Sequence, residues 1–217
     1  MARLRLGVLI SGRGSNLQAL IDAAAKPDFP AEIALVISNR ADAAGLARAR
    51  AAGIPARVIS PRDHASRDTF EGALDTALAA AGVELVCLAG FMRILGEGFL
   101  GRWPDRVINI HPSLLPAFPG LDTHARAIAA GVRFSGATVH VVRAAVDAGP
   151  IIIQAAVPVL ITDDAERLAA RVLAAEHRIY PAAVRLIAEK RMRIVAERVV
   201  IRDPGPSPSS LFYPGAD

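Results

Sequence analysis

The chain has 217 residues, 53% of them apolar and 5% aromatic, with a formal net charge of +4; it is long enough for one sizeable core and too apolar to stay disordered. Its basic residues are dispersed from Arg3 to Arg202 without a long block of like charge, which argues against a nucleic-acid arm and suits anionic small molecules. A lone Cys87 excludes a disulfide within the chain and a thiolate zinc cluster, and no apolar stretch approaches the roughly 20 residues of a membrane helix, so no membrane partner is expected.

Met1 to Leu6 pass directly into strand-like sequence without the apolar core and cleavage site of a signal peptide, and a cytoplasmic protein is expected. Apolar runs of strand length recur at 6–10, 33–37, 56–59, 85–89 and 107–110. Segments with helical spacing at 17–25, 43–52, 67–81 and 124–130 alternate with most of them, the first three ending near Pro27, Gly53 and Gly82. This βαβα rhythm predicts an α/β fold with a Rossmann-like, doubly wound, mostly parallel sheet. After Gly131 the rhythm changes: 138–142 and 151–159 read as strands, antiparallel near the C-terminal part, before a long helical run over about 163–190. Residues 1–203 are expected to form one domain, and the Pro/Gly/Ser-rich stretch 204–217 a mobile or surface-draped tail.

Between the first strand and helix, Ser11-Gly12-Arg13-Gly14-Ser15-Asn16 offers unpaired backbone N–H groups and a helix dipole to an anion. The spacing is neither Gly-x-Gly-x-x-Gly nor a P-loop with its Lys, so a single phosphate suits it better than a dinucleotide. The run 107–116 ends in Asn109-Ile110-His111-Pro112. Strand alternation sends Asn109 and His111 to one face and Ile108 and Ile110 to the other, while the prolines end the pairing. Asp147, in a loop between two strand candidates, completes a set of an amide, an imidazole and a carboxylate that can stabilise an oxyanion and move a proton. Cys87 reads as a small core residue, and no Gly-x-Ser-x-Gly elbow is present, so direct attack by a substrate amine fits better than a covalent enzyme intermediate. His64, His124, His140 and His177 lack metal-ligand spacing; His124 and His140 read as capping or surface residues, and no metal is expected.

Four ordered motifs, residues 10–19, 88–95, 109–116 and 146–152, resemble those of the phosphoribosylglycinamide formyltransferases, folate-dependent enzymes of purine synthesis, and the similarity runs nearly end to end. The resemblance implies formyl transfer from 10-formyltetrahydrofolate to glycinamide ribonucleotide; no feature of the sequence decides between a monomer and a homodimer. It implies that Asn109, His111 and Asp147 are the catalytic group and that Gly14, Ser15 and Asn16 hold the phosphate, with Glu176 helping to hold the ribonucleotide. It further implies that Arg67, Met92, Arg93, Ile94, Leu95, Asn109 and the loop Arg143, Ala144, Ala145, Val146 and Asp147 surround the folate, and that Thr138 holds a catalytic water with Asp147. Arg13 and Leu173 depart from the residues common in that family, so local ribonucleotide contacts are expected to differ there. The rivals are a formyltetrahydrofolate deformylase, a methionyl-tRNA formyltransferase, and a non-catalytic folate or phosphometabolite binder. Residues 204–217 are too few for the tRNA enzyme's added C-terminal domain, and nothing precedes the first strand to form the deformylase's added N-terminal one.

Overall fold

Alternation along the central strands divides the apolar residues between two cores. In β1 (Leu4–Ile10), Leu6, Val8 and Ile10 pack into one core and Leu9 into the other. In β4 (Leu85–Leu88), Leu85 and Cys87 face the first core, Val86 and Leu88 the second. A strand apolar on both faces must be covered on both faces, which is the condition for a parallel sheet between helical layers.

The computed structural model describes residues 2–206 and 211–213; residues 207–210 and 214–217 of the expected tail lie outside the described residues. After β1 the chain runs through α1 (Ser15–Ala24), β2 (Ala31–Ser38), α2 (Gly45–Ala51), β3 (Ala56–Val58), a 3-10 turn at Pro61–Asp63, α3 (Arg67–Ala80), β4, α4 (Glu97–Arg102) and β5 (Val107–His111). It continues through α5 (Thr123–Ala129), β6 (Phe134–Val141), β7 (Ile151–Pro158), α6 (Ala165–Ala188), β8 (Met192–Val195) and β9 (Arg198–Ile201). Seven strands form one sheet in the order β3-β2-β1-β4-β5-β6-β7, parallel through β5 and antiparallel for β6 and β7, while β8 and β9 pair as a separate hairpin. The expected mostly parallel α/β sheet with antiparallel strands near the C-terminal part is the fold observed.

The order reverses between β1 and β4, and the carboxyl ends of strands at such a reversal are where open α/β sheets bind ligands. Helices α1 and α6 cover one face through Leu17, Leu20, Leu168, Val172 and Val184, and α3 and α4 cover the other through Phe70, Leu74, Leu78 and Phe99. Tyr180, fully buried on α6, donates its hydroxyl to the Leu88 carbonyl at 2.9 Å, so its one polar atom is satisfied at the sheet. α6 runs through Pro181, where one helical hydrogen bond is missing; its long buried stripe carries it across.

Candidate active site

β5 delivers Asn109 and His111 to the face shared with Val107 and the α3/α4 core, opposite Ile108 and Ile110. His111 Nδ1 lies 3.4 Å from Asp147 Oδ2, and its Nε2 lies 3.1 Å from the Phe118 carbonyl oxygen. Because a carbonyl can only accept, Nε2 carries a proton in this contact and Nδ1 is the nitrogen turned toward the carboxylate. Asp147 Oδ2 also accepts the Gly120 N–H at 2.8 Å. Backbone groups of the 118–120 loop therefore hold both His111 and Asp147, a contribution the sequence reading did not include.

His140 completes the cluster and corrects the expectation of a capping or surface residue: it is 2% exposed, with Nε2 3.2 Å from Asn109 Nδ2 and 3.7 Å from Asp147 Oδ1. Burial pushes its pKa down, against the opposing pull of the Val141 carbonyl and Asp147, while His111 pushes it further down. In the neutral ring, Nδ1–H faces the Val141 carbonyl at 3.1 Å and Nε2 accepts from the Asn109 amide. The signal lay in β6: its antiparallel register sets His140 against Asn109 and Thr138 against His111, so two i, i+2 pairs mirror each other across the ladder.

Thr138 is a correction of another kind. Its fully buried hydroxyl donates to the Ser113 carbonyl at 2.7 Å and accepts from the Leu115 N–H and Gln154 Nε2, both at 3.0 Å. One donor and two lone pairs are thereby used, leaving no capacity for the expected water. Thr138 instead fastens the chain after His111 to β6 and β7. His124 comes near the same cluster on α5; burial, with His111 adding to it, lowers its pKa.

At the other end of the cleft, Gly14 is the N-cap of α1 with φ 70°, a left-handed conformation suited to glycine, and it supplies no side-chain cap. No acidic side chain stands in the first turn, so the backbone N–H groups of Ser15 and Asn16 and the helix dipole are left for an anion. Arg48 braces this loop, its Nε donating to the Arg13 carbonyl at 3.0 Å. The Asn16 side chain is directed elsewhere: Nδ2 donates to Glu176 Oε2 at 2.7 Å. Burial pushes the Glu176 carboxyl above its ordinary range, and the Asn16 bond partly offsets this.

The loop after β4 joins the two ends of the cleft, since the Met92 N–H donates to Ser11 Oγ at 2.8 Å. A cavity of about 330 Å³ lies beyond it, lined by Arg67, Phe70, Glu71, Met92, Arg93 and Ile94. Met92 and Ile94 expose large apolar surfaces at its mouth, and Val146 exposes another on the loop that carries Asp147. Two expected folate residues face differently: the Leu95 side chain is buried in the α3/α4 core. Arg143 donates to Glu197 Oε2 at 2.9 Å and to Asp105 Oδ1 at 2.7 Å, so its guanidinium is already engaged. Ala144 and Ala145 are exposed beside Val146. Among the described residues there is no cluster suited to a metal ion and no helix long and apolar enough to cross a membrane.

A formyl transferase family model matches residues 4–184. The chain is 44% identical to phosphoribosylglycinamide formyltransferase of Haemophilus influenzae, covering 88% of this chain and 90% of that one. It is 50% identical to the trifunctional purine biosynthetic protein adenosine-3 of Gallus gallus over 88% of its own length, but spans only 19% of that larger protein. The crystal structure of glycinamide ribonucleotide transformylase 1 from Symbiobacterium toebii superposes with a TM-score of 0.90 at 54% identity, covering 92% of this chain and 94% of that one. On this evidence the chain belongs to the formyl transferase family and, within it, to the phosphoribosylglycinamide formyltransferases.

Proposed function

We propose that the protein transfers the formyl group of 10-formyltetrahydrofolate to the amine of glycinamide ribonucleotide, a step of purine synthesis. The observation that carries this reading is the gathering of Asn109, His111 and Asp147, an anion-accepting helix terminus and a partly apolar cavity at the carboxyl ends of β1, β4 and β5. The α1 terminus at Gly14, Ser15 and Asn16 takes the phosphate, and Glu176 accepts a ribose hydroxyl. Met92, Arg93, Ile94 and Arg67 flank the folate, with backbone from Leu95 and the 143–147 loop. Every group named belongs to one chain, so the reading holds for a monomer or a homodimer and calls on neither nucleic acid nor membrane. Residues 1–203 are taken as the catalytic domain and 204–217 as its tail.

In this mechanism the substrate amine forms a bond to the formyl carbon and the carbonyl π pair moves onto oxygen. The Asn109 amide and the Nδ1–H of His111, protonated on both ring nitrogens in this step, donate to that oxyanion, and both side chains are held before the substrate arrives: Asn109 by His140 and His111 by the Phe118 carbonyl. Asp147 accepts a proton from the attacking nitrogen and returns it to the folate nitrogen as the carbon–nitrogen bond to folate breaks. The products are the formylated ribonucleotide and tetrahydrofolate, with the charge on the protein restored.

The test is absorbance of released folate on mixing the protein, 10-formyltetrahydrofolate and synthetic glycinamide ribonucleotide, beside a control lacking the ribonucleotide. Release that depends on the ribonucleotide supports transfer. Equal release without it replaces transfer by hydrolysis, and binding of both ligands without release replaces it by a sensing role.

A further inference from the structure

The cavity beside Met92 contains a buried carboxylate that the proposed reaction does not use. Glu71, on α3, is 3% exposed; its Oε1 accepts from Arg67 Nε at 2.8 Å and from the Gly96 N–H at 2.7 Å. Arg67 Nη2 donates in turn to the Ile94 carbonyl at 2.9 Å. One acid thus ties the first turn of α3 to the loop that carries Met92, Arg93 and Ile94. Gly96 allows the approach: a Cβ there would lie 3.1 Å from Glu71 Oε2 and 3.2 Å from Arg67 Nη2.

From this we infer that Glu71 is the positioning residue of the folate cavity: it fixes the Arg67 guanidinium and the 92–96 loop in the arrangement that receives a folate's apolar ring and anionic tail. The inference rests on the proposed formyl transfer and deepens it. Two of the three Arg67 nitrogens are bound within the protein, and Nη1 makes no hydrogen bond among the described residues, so the fork presents its remaining donors to a ligand carboxylate. Arg67 is half exposed while Glu71 is buried, so the acid supplies the fixed end of the pair and the cation its working end. A buried carboxylate without its cation is costly, and a long guanidinium without its carboxylate loses a single orientation.

The test pairs Glu71→Ala with the conservative Glu71→Gln, whose oxygen still accepts both N–H groups without the charge. In steady-state assays Glu71→Ala is expected to raise KM for 10-formyltetrahydrofolate by about tenfold or more, the loss of a charged hydrogen bond, while kcat and the ribonucleotide KM stay within about twofold. Glu71→Gln should recover part of the loss. Calorimetric titration with 10-formyltetrahydrofolate alone should show the same order of affinity, wild type above Gln above Ala, and this readout stands even if turnover is absent. Unchanged folate affinity in both variants overturns the inference while leaving formyl transfer intact, as does an equal loss for both substrates. If Glu71→Ala does not fold, Glu71→Gln decides: a folate-specific loss supports the inference and none overturns it.

Discussion

Asn109 and His140 face each other across the β5–β6 ladder, amide nitrogen to ring nitrogen at 3.2 Å, and the contact fixes which way the amide points. With one N–H of Asn109 given to the ring, the second is the one that the proposed reaction uses as an oxyanion donor. Loss of one oxyanion donor lowers turnover on the order of a hundredfold, so Asn109→Ala should lose about that much in kcat while the fold is largely retained. His140→Ala, which frees the amide to rotate, should lose kcat by about tenfold to a hundredfold at nearly constant KM. His140→Gln, whose side-chain oxygen can still accept from Asn109, should recover part of it. Wild-type turnover in His140→Ala would remove the positioning role.

Burial holds His124, His140 and His177 below the ordinary imidazole value of 6.5. As pH falls below that value the unfolded chain binds protons that the folded chain does not, so these groups support the fold fully above 6.5 and lose that contribution as pH falls through their lowered values. His177 gives the cleanest test because it stands outside the proposed catalytic group; Asp22 acts to raise its pKa and Arg48 to lower it. Urea midpoints measured from about pH 8 to pH 5 should fall less for His177→Gln than for the wild type. Parallel curves would show that His177 is not titrating with unfolding.

The parts legible in the sequence are those whose signal is local. Leu6 to Ile10 read as a buried strand because both faces are apolar, and Asn109 with His111 read as a pair because alternation places them together. α4 escaped notice: Gly98 and Gly101 lower its helical propensity, and Phe99 is its only buried residue. The β8–β9 hairpin escaped for another reason. Ala196 and Glu197 both take positive φ at its turn, a conformation normally signalled by Asn-Gly. β6 begins at Phe134, earlier than expected, because that residue pairs with Pro158 of β7. His140 gains its partners, and Glu71 its bond from the Gly96 N–H, only through such long-range register and packing, which periodicity does not encode.

Cys87 should be inert in the native state. It is fully buried in β4, and burial pushes its thiol up to about 12, with Tyr180 acting in the opposite direction. Reaction with an aromatic disulfide needs an exposed thiolate, and the fold denies both conditions. At pH 8 the folded protein should release no thiol-exchange chromophore over an interval in which the urea-unfolded chain releases one equivalent per chain. Rapid release from folded protein would mean that β4 opens locally.

Glu176 combines a cost to the fold with a proposed service to the substrate, and one substitution separates the two. Its carboxyl is pushed above the ordinary 4.5 by burial, so the folded state holds a proton that the unfolded state releases as pH rises. The stability from this group is therefore fully present below 4.5 and is lost as pH rises through the elevated value. Glu176→Gln keeps an oxygen for the Asn16 amide but carries no charge to desolvate. Its urea midpoint should exceed that of the wild type at pH 8 and converge with it toward pH 4. The same variant should bind glycinamide ribonucleotide more weakly by about tenfold, since a charged acceptor for a sugar hydroxyl becomes a neutral one. A variant more stable at pH 8 with unchanged ribonucleotide affinity would leave Glu176 a structural partner of Asn16 alone.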